Sequence, residues 1–186
     1  MELHVWLADF AAAWVIAISP GSGAVLSMTH GLAYGVRGAT ATIMGLELGV
    51  ATILLIAGVG VGAVLIASAT AFTVVKVVGA CYLIWLGWRQ WRSPVGDDAA
   101  APGGQAPAAA GSAGLPSVKE RVLLGFFTNV TNPKGIVFVV AVLPQFIDPA
   151  RPLWLQLLIL LATTLFTDVL VMHGYAFLAS RAQRWL

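Results

Sequence analysis

Three ionisable side chains, Glu47, Lys134 and Asp168, stand inside long apolar runs of the sequence. On insertion scales a Lys or Asp at the centre of a membrane-crossing helix costs about 2.5–3.5 kcal/mol, so such residues face a bundle interior or a wet path, not lipid. Glu47 lies between Gly45 and Gly49, small residues that let another helix backbone approach closely. Its carboxylate suits a substrate ammonium or a proton; a structural ion pair, for instance with Lys134, or an acid near the end of its span is the alternative. Lys134 follows Asn132-Pro133, where Pro removes a backbone donor and opens carbonyls nearby. The cation can bind a substrate carboxylate or clamp those carbonyls. Asn129 and Asn132 are spaced for one helical face, where amides beside a broken helix suit a carboxylate or ion, or else join two helices. Asp168 follows Thr163, Thr164 and Thr167 and precedes His173 and Tyr175. It is the candidate proton-coupling carboxylate, because burial makes its protonation switchable; a hydrogen-bonded structural acid is the other reading.

A second kind of site is made of backbone. Ser19-Pro20-Gly21-Ser22-Gly23 interrupts an uncharged run over 10–36, since Pro lacks a donor and Gly is permissive. The break is either a simple kink or a place where Pro20 and Gly21 open amides at the start of a half-helix, which can receive a carboxylate. Catalytic and metal chemistry find little support. His30 and His173 have no second ligand at helical spacing, no HExxH occurs, and no nucleophile–base constellation can be assembled. Cys81 is the one cysteine, which excludes an intrachain disulfide, a CxxC pair and a thiolate cage. An enzyme is not expected, nor a cofactor or metal.

These residues must be held by membrane helices. Of 186 residues, 59% are hydrophobic and 10% charged, with a mean hydropathy of +0.90, against roughly 25% charged in a soluble domain. Spans need about 20 apolar residues each, and five are expected: a broken first span over 10–36, then 39–66, 72–91, an interrupted 122–146, and 153–178. Trp85, Trp88 and Trp91 with Arg89 and Arg92 mark the third span's end as an interface. Residues 93–117 are rich in Pro, Gly and Ala and read as a flexible loop. The ten Lys and Arg do not cluster and the net charge is +2, so no nucleic-acid face is expected. A cleaved leader is not expected either, because Glu2, His4 and Asp9 precede the first cation, Arg37. With the N-terminus outside, Arg37, Arg89, Arg92, Lys119, Arg121, Arg181 and Arg184 fall inside, while Arg151 and a snorkelling Lys76 fall outside; the positive-inside rule favours this orientation.

The first and fourth spans carry the breaks and enter from opposite sides, as in an inverted repeat. The expected fold is all-α, a polytopic bundle of about five spans from a 3+3 inverted-repeat architecture lacking its sixth helix. It divides into a first repeat over 1–92, a cytoplasmic loop over 93–118 and an incomplete second repeat over 119–186. Glycines at 31 and 35, 45 and 49, and 58 and 62 fit small-residue helix packing.

Phe72-Thr-Val-Val-Lys-Val-Val-Gly-Ala-Cys-Tyr-Leu-Ile-Trp-Leu-Gly-Trp-Arg89, Phe127-Thr-Asn-Val-Thr-Asn-Pro-Lys-Gly135 and Leu143-Pro-Gln-Phe-Ile-Asp-Pro149 resemble the LysE family of amino-acid exporters, in particular its homoserine/threonine exporter-like (RhtB-type) branch. The resemblance covers nearly the whole chain. Ser19-Pro20-Gly21 is similar to the start of that family's Pro-Gly-Pro-Asn break, although Ser22-Gly23 replaces the usual Pro-Asn. The resemblance implies a multi-pass protein of the cytoplasmic (inner) membrane that exports amino acids or their derivatives on the proton gradient. It also implies that both breaks, Pro20-Gly21 and Asn132-Pro133-Lys134, belong to the transport path. The family's usual six helices leave three explanations for five: a truncation, a shortened paralogue, or a wall supplied by a second subunit, which makes a homodimer an expectation. Export of another solute or a cation, and a non-transporting scaffold or regulatory subunit, are the alternative functions.

Overall fold

The computed structural model describes residues 1–92 and 116–182; most of the expected loop over 93–117 lies outside the described residues. Those residues are helical, with no strand among them. The elements are α1 (Leu3–Ile18), α2 (Ser22–Ala67), α3 (Ala69–Arg92), α4 (Val118–Val130), α5 (Pro133–Val142), a 3-10 turn (Leu143–Gln145) and α6 (Leu153–Ala182).

The long α2 is two legs. Gly35 adopts φ 69°, a left-handed conformation that glycine takes without a Cβ penalty. The legs 22–34 and 36–67 fold back on one another there. A Cβ on Gly23 would sit 3.5 Å from the Leu46 side chain, and His30 Nδ1 meets the Thr42 hydroxyl. Ala24, Leu26, Ala39, Ile43 and Leu46 share one core with Met172 and Ala176 of α6.

Both sequence breaks are real ends of helix. α1 stops at Ile18 and α2 starts at Ser22 after Gly21, whose extended backbone provides no side-chain cap. α4 begins with a reciprocal cap, in which Ser117 N donates to Glu120 Oε2 (2.7 Å) and Glu120 N to Ser117 Oγ (3.2 Å). It ends at Val130, and the chain resumes as α5 at Pro133, where Pro is well suited to the first helical turn. The expected fourth span is therefore a pair of helices bent by 55°.

By length and composition, α2 and α6 can each cross a membrane, and the bent α4–α5 pair makes up to three such elements. Large apolar side chains cover the outside of the bundle, including Val15, Ile56, Val59, Ile66 and Ile84, each about 70% exposed or more. A water-soluble chain could not carry that surface, whereas lipid solvates it.

Close helix approach depends on the glycines of α2 and α4. A Cβ on Gly45 would overlap the Val122 carbonyl, and one on Gly125 the Thr42 carbonyl. One on Gly49 would lie 2.8 Å from Asn129 Cβ. The expected backbone approach beside Glu47 is therefore made by α4. The loops sort to two ends. At one, Arg151 pairs with Asp148 (3.1 Å) and Glu2 (3.3 Å), and the almost fully buried Gln156 holds both the amide and carbonyl of Asp148 (2.8 and 3.0 Å). At the other, Arg121 Nη1 donates to Gly38 O (2.6 Å) and its guanidinium lies over the Tyr34 ring.

Candidate functional site: a cavity between two helix breaks

The two breaks meet in space. Ser19, Gly21 and Gly23 from the first, and Asn129, Asn132 and Gly135 from the second, line one cavity of about 140 Å³. That is room for roughly ten waters or one small organic solute. The cavity wall is otherwise mostly apolar, with Phe138, Val139, Leu143 and Leu160 among its residues. Asp168 of α6 and Asp9 of α1 also line it.

At the first break the N-terminus of α2 faces the cavity through Gly21 and Gly23. First-turn amides without a side-chain cap, plus the partial positive charge of the helix end, form a ready receptor for a carboxylate. Ser22 Oγ is buried there with no hydrogen-bond partner. Pro20 ends α1 but does not line the cavity; its contribution is to keep the chain from continuing as helix.

At the second break the expectation of one helical face for Asn129 and Asn132 fails. Asn129 belongs to α4, whereas Asn132 follows the turn at Thr131, its N–H donating to Asn129 O (3.0 Å) and its carbonyl accepting from Ile136 N (3.1 Å). Both reach the cavity because the chain turns between them. Asn129 Nδ2 donates to Leu46 O (2.8 Å), so this amide joins α4 to α2 while the residue lines the cavity. Pro133 opens α5 without lining the cavity. Lys134 follows it, and its side chain lies outside the described residues.

Glu47 does not line the cavity either. It stands behind the wall, and its carboxyl is the electrostatic neighbour of Asp168. Both Glu47 oxygens are buried without a well-formed hydrogen bond. The pairing of these two acids, one on α2 and one on α6, is invisible in a linear sequence.

Asp9 is the site residue that sequence reasoning did not single out. It is 5% exposed, and its Oδ2 has no hydrogen-bond partner. The available signal was the spacing Asp9, Ala13, Ala17, an acid continuing the small-residue face of α1 at intervals of four; all three are buried. His30 and His173 are satisfied by hydroxyl and carbonyl groups: His30 by Thr42, His173 by Thr40 and Val169 O. No group of three metal-ligating side chains occurs among the described residues.

The family model for LysE type translocators matches residues 14–186. The chain belongs to the LysE family. Among its relatives, an "uncharacterized membrane protein" of Vibrio cholerae is 42% identical over this whole chain and 86% of its own length. A homoserine/homoserine lactone efflux protein of Salmonella typhi is 40% identical over all of this chain and 85% of its own length. A leucine efflux protein of an Enterobacter species is 30% identical over 82% of this chain and 68% of its own length. No solved structure matches. Membership makes this LysE-family chain a membrane translocator, in agreement with its apolar exterior.

Proposed function

We propose that this chain exports small amino acids or their derivatives, homoserine and its lactone being the first candidates, across the cytoplasmic membrane in exchange for protons. The observation that carries the reading is the convergence of both helix breaks and Asp168 on one cavity. Relatives that bear efflux names supply the solute class.

The substrate carboxylate docks on the amides at Gly21 and Gly23, assisted by the Asn132-Pro133-Lys134 break with Asn129 beside it. Its ammonium meets Asp168. Glu47 and Asp168 form the proton-coupling pair. Two carboxylates side by side in a low-dielectric site repel, and one proton held between them removes the repulsion. An arriving ammonium compensates the charge in the same way, so ammonium and proton exclude one another. That competition is antiport in its simplest form.

Alternating access follows if the two broken spans rock against each other as inverted repeats, with the site near the bilayer midplane. The repeats would be 1–92 and 119–186, joined by the loop over 93–118. The N-terminus faces out in this topology, with Arg37 and Arg121 inside. A homodimer would cover part of the apolar exterior.

Proteoliposome counterflow of labelled L-homoserine tests the reading. Asp168→Asn is expected to lower counterflow tenfold or more while leaving a measurable rate, and Glu47→Gln to preserve binding while flattening the dependence of transport on pH. Undiminished counterflow with an unchanged pH profile in both variants would refute the coupling pair.

A further inference from the structure

One acid on the cavity wall, Asp9 of α1, has no part in the carboxylate and ammonium subsites. Its height in the bundle follows from two hydrogen bonds. Trp6 Nε1 donates to Thr163 Oγ1 (3.0 Å) near the start of α1, and the Tyr175 hydroxyl to Ile18 O (2.6 Å) at its end, each joining residues 157 positions apart. α1 and α6 therefore run parallel in one register, which sets Asp9 level with Phe166 and within a turn of Asp168.

The same register orders the polar groups by their height above or below the first break. A Cβ on Gly23 would lie 3.9 Å from Met172 Sδ, so the start of α2 stands near the height of Met172. Asp168 is four residues nearer the start of α6, roughly 6 Å of rise, and the level of Asp9 is six residues nearer, roughly 9 Å. Ala12, Ala13 and Ala17 keep the α1 wall low between Asp9 and the break. Asp168 has Glu47 as its neighbour, and the three acids form no metal-holding group among the described residues. Asp9 is 5% exposed and its Oδ2 has no hydrogen-bond partner. A buried acceptor on a cavity wall is costly unless a ligand completes it.

We infer that Asp9 is the specificity-determining residue of this cavity, accepting a hydrogen bond from the side-chain hydroxyl of L-homoserine while the break holds its carboxylate and Asp168 its ammonium. The inference rests on the exporter reading. Homoserine carries its polar groups in the same order as the cavity does: the ammonium lies next to the carboxylate, and the hydroxyl on the γ carbon lies farther away. Thr164, one turn before Asp168, also lines the cavity and keeps that end polar. The substrate class is thus α-amino acids with a hydrogen-bond donor on the γ carbon. L-2-aminobutyrate, which has the same carbon skeleton without the hydroxyl, leaves the Asp9 carboxyl buried and unpaired. A site built to bond a hydroxyl rejects such an analogue more strongly than a site that reads shape alone. Homoserine lactone, whose ring uses up both the carboxylate and the hydroxyl, keeps the ammonium contact and has no donor for Asp9.

The test compares Kd values of the purified protein for L-homoserine, L-2-aminobutyrate and homoserine lactone. Wild type is expected to prefer L-homoserine over L-2-aminobutyrate by about tenfold or more. Asp9→Leu should bring that ratio to within about threefold, chiefly by weakening L-homoserine. Asp9→Asn, whose amide oxygen still accepts from a hydroxyl, should give an intermediate ratio. The Kd for the lactone should move far less than that for L-homoserine in either variant. No preference in wild type, or a preference that survives both substitutions, would overturn the inference. An equal loss for all three ligands would do so too, because it would place Asp9 at the ammonium or in the fold alone. If Asp9→Leu does not fold, the Asp9→Asn ratio decides, and a ratio equal to that of wild type overturns the inference. Wild-type protein that neither binds nor exchanges L-homoserine would overturn the exporter reading itself. Wild type that exchanges L-homoserine and L-2-aminobutyrate equally well removes the role of Asp9 alone.

Discussion

Glu47 and Asp168 show how a residue's meaning depends on its neighbour. Each alone is an acid inside an apolar helix; together they are two buried carboxyls that share one environment. Groups that act as a unit give non-additive effects when changed. The Glu47→Gln/Asp168→Asn double variant is therefore expected to export L-homoserine no more slowly than Asp168→Asn alone, as read from initial rates in proteoliposomes under an imposed pH gradient. A double variant slower by the product of the single effects would mean that the two acids act independently.

At the scale of elements, the breaks and the small-residue seam position everything else. Gly125 and Gly45 set the α2–α4 distance, and the Asn129 bond to Leu46 O depends on it. Gly125→Leu is expected to destabilise the bundle by about 1–3 kcal/mol, the usual cost of overpacking, visible as a lower Tm in detergent. Gly60→Ala, where an added Cβ meets nothing within 4 Å, should leave Tm nearly unchanged. An equal Tm for both variants would show that the seam is not tight. These elements were legible in sequence because Pro20, Gly21 and Pro133 act on their own backbone, and Gly45 and Gly49 on whatever helix lies next to them. What was not legible depends on partners far along the chain. Asp9 read as an N-terminal charge because nothing in sequence brings α1 beside α6. Asn129 and Asn132 read as one face because the turn at Thr131 breaks the register on which that geometry relies. The hairpin at Gly35 falls at the boundary expected between the first two spans, yet only its φ explains how sharply the legs return.

The molecule as a whole is an apolar-coated bundle with polar loops gathered at two ends and a cavity between its interrupted helices. Glu2 and Arg151 share one end, and Arg121 and Gly38 the other. In a Cys81→Ser background, which leaves the chain without cysteine, Glu2→Cys should react with an impermeant thiol reagent from outside the cell and Arg37→Cys only after the membrane is opened. The reverse pattern would invert the topology and the direction assigned to the path. The central claim is that the cavity between the breaks holds the substrate. In the same background, Gly23→Cys places a thiol on the cavity wall at a position where a Cβ meets only ordinary contacts. Its reaction rate with a small cationic thiol reagent, measured with and without saturating L-homoserine, tests the claim most directly. L-homoserine is expected to slow labelling several-fold; an unchanged rate in a variant that still transports L-homoserine would place the substrate elsewhere.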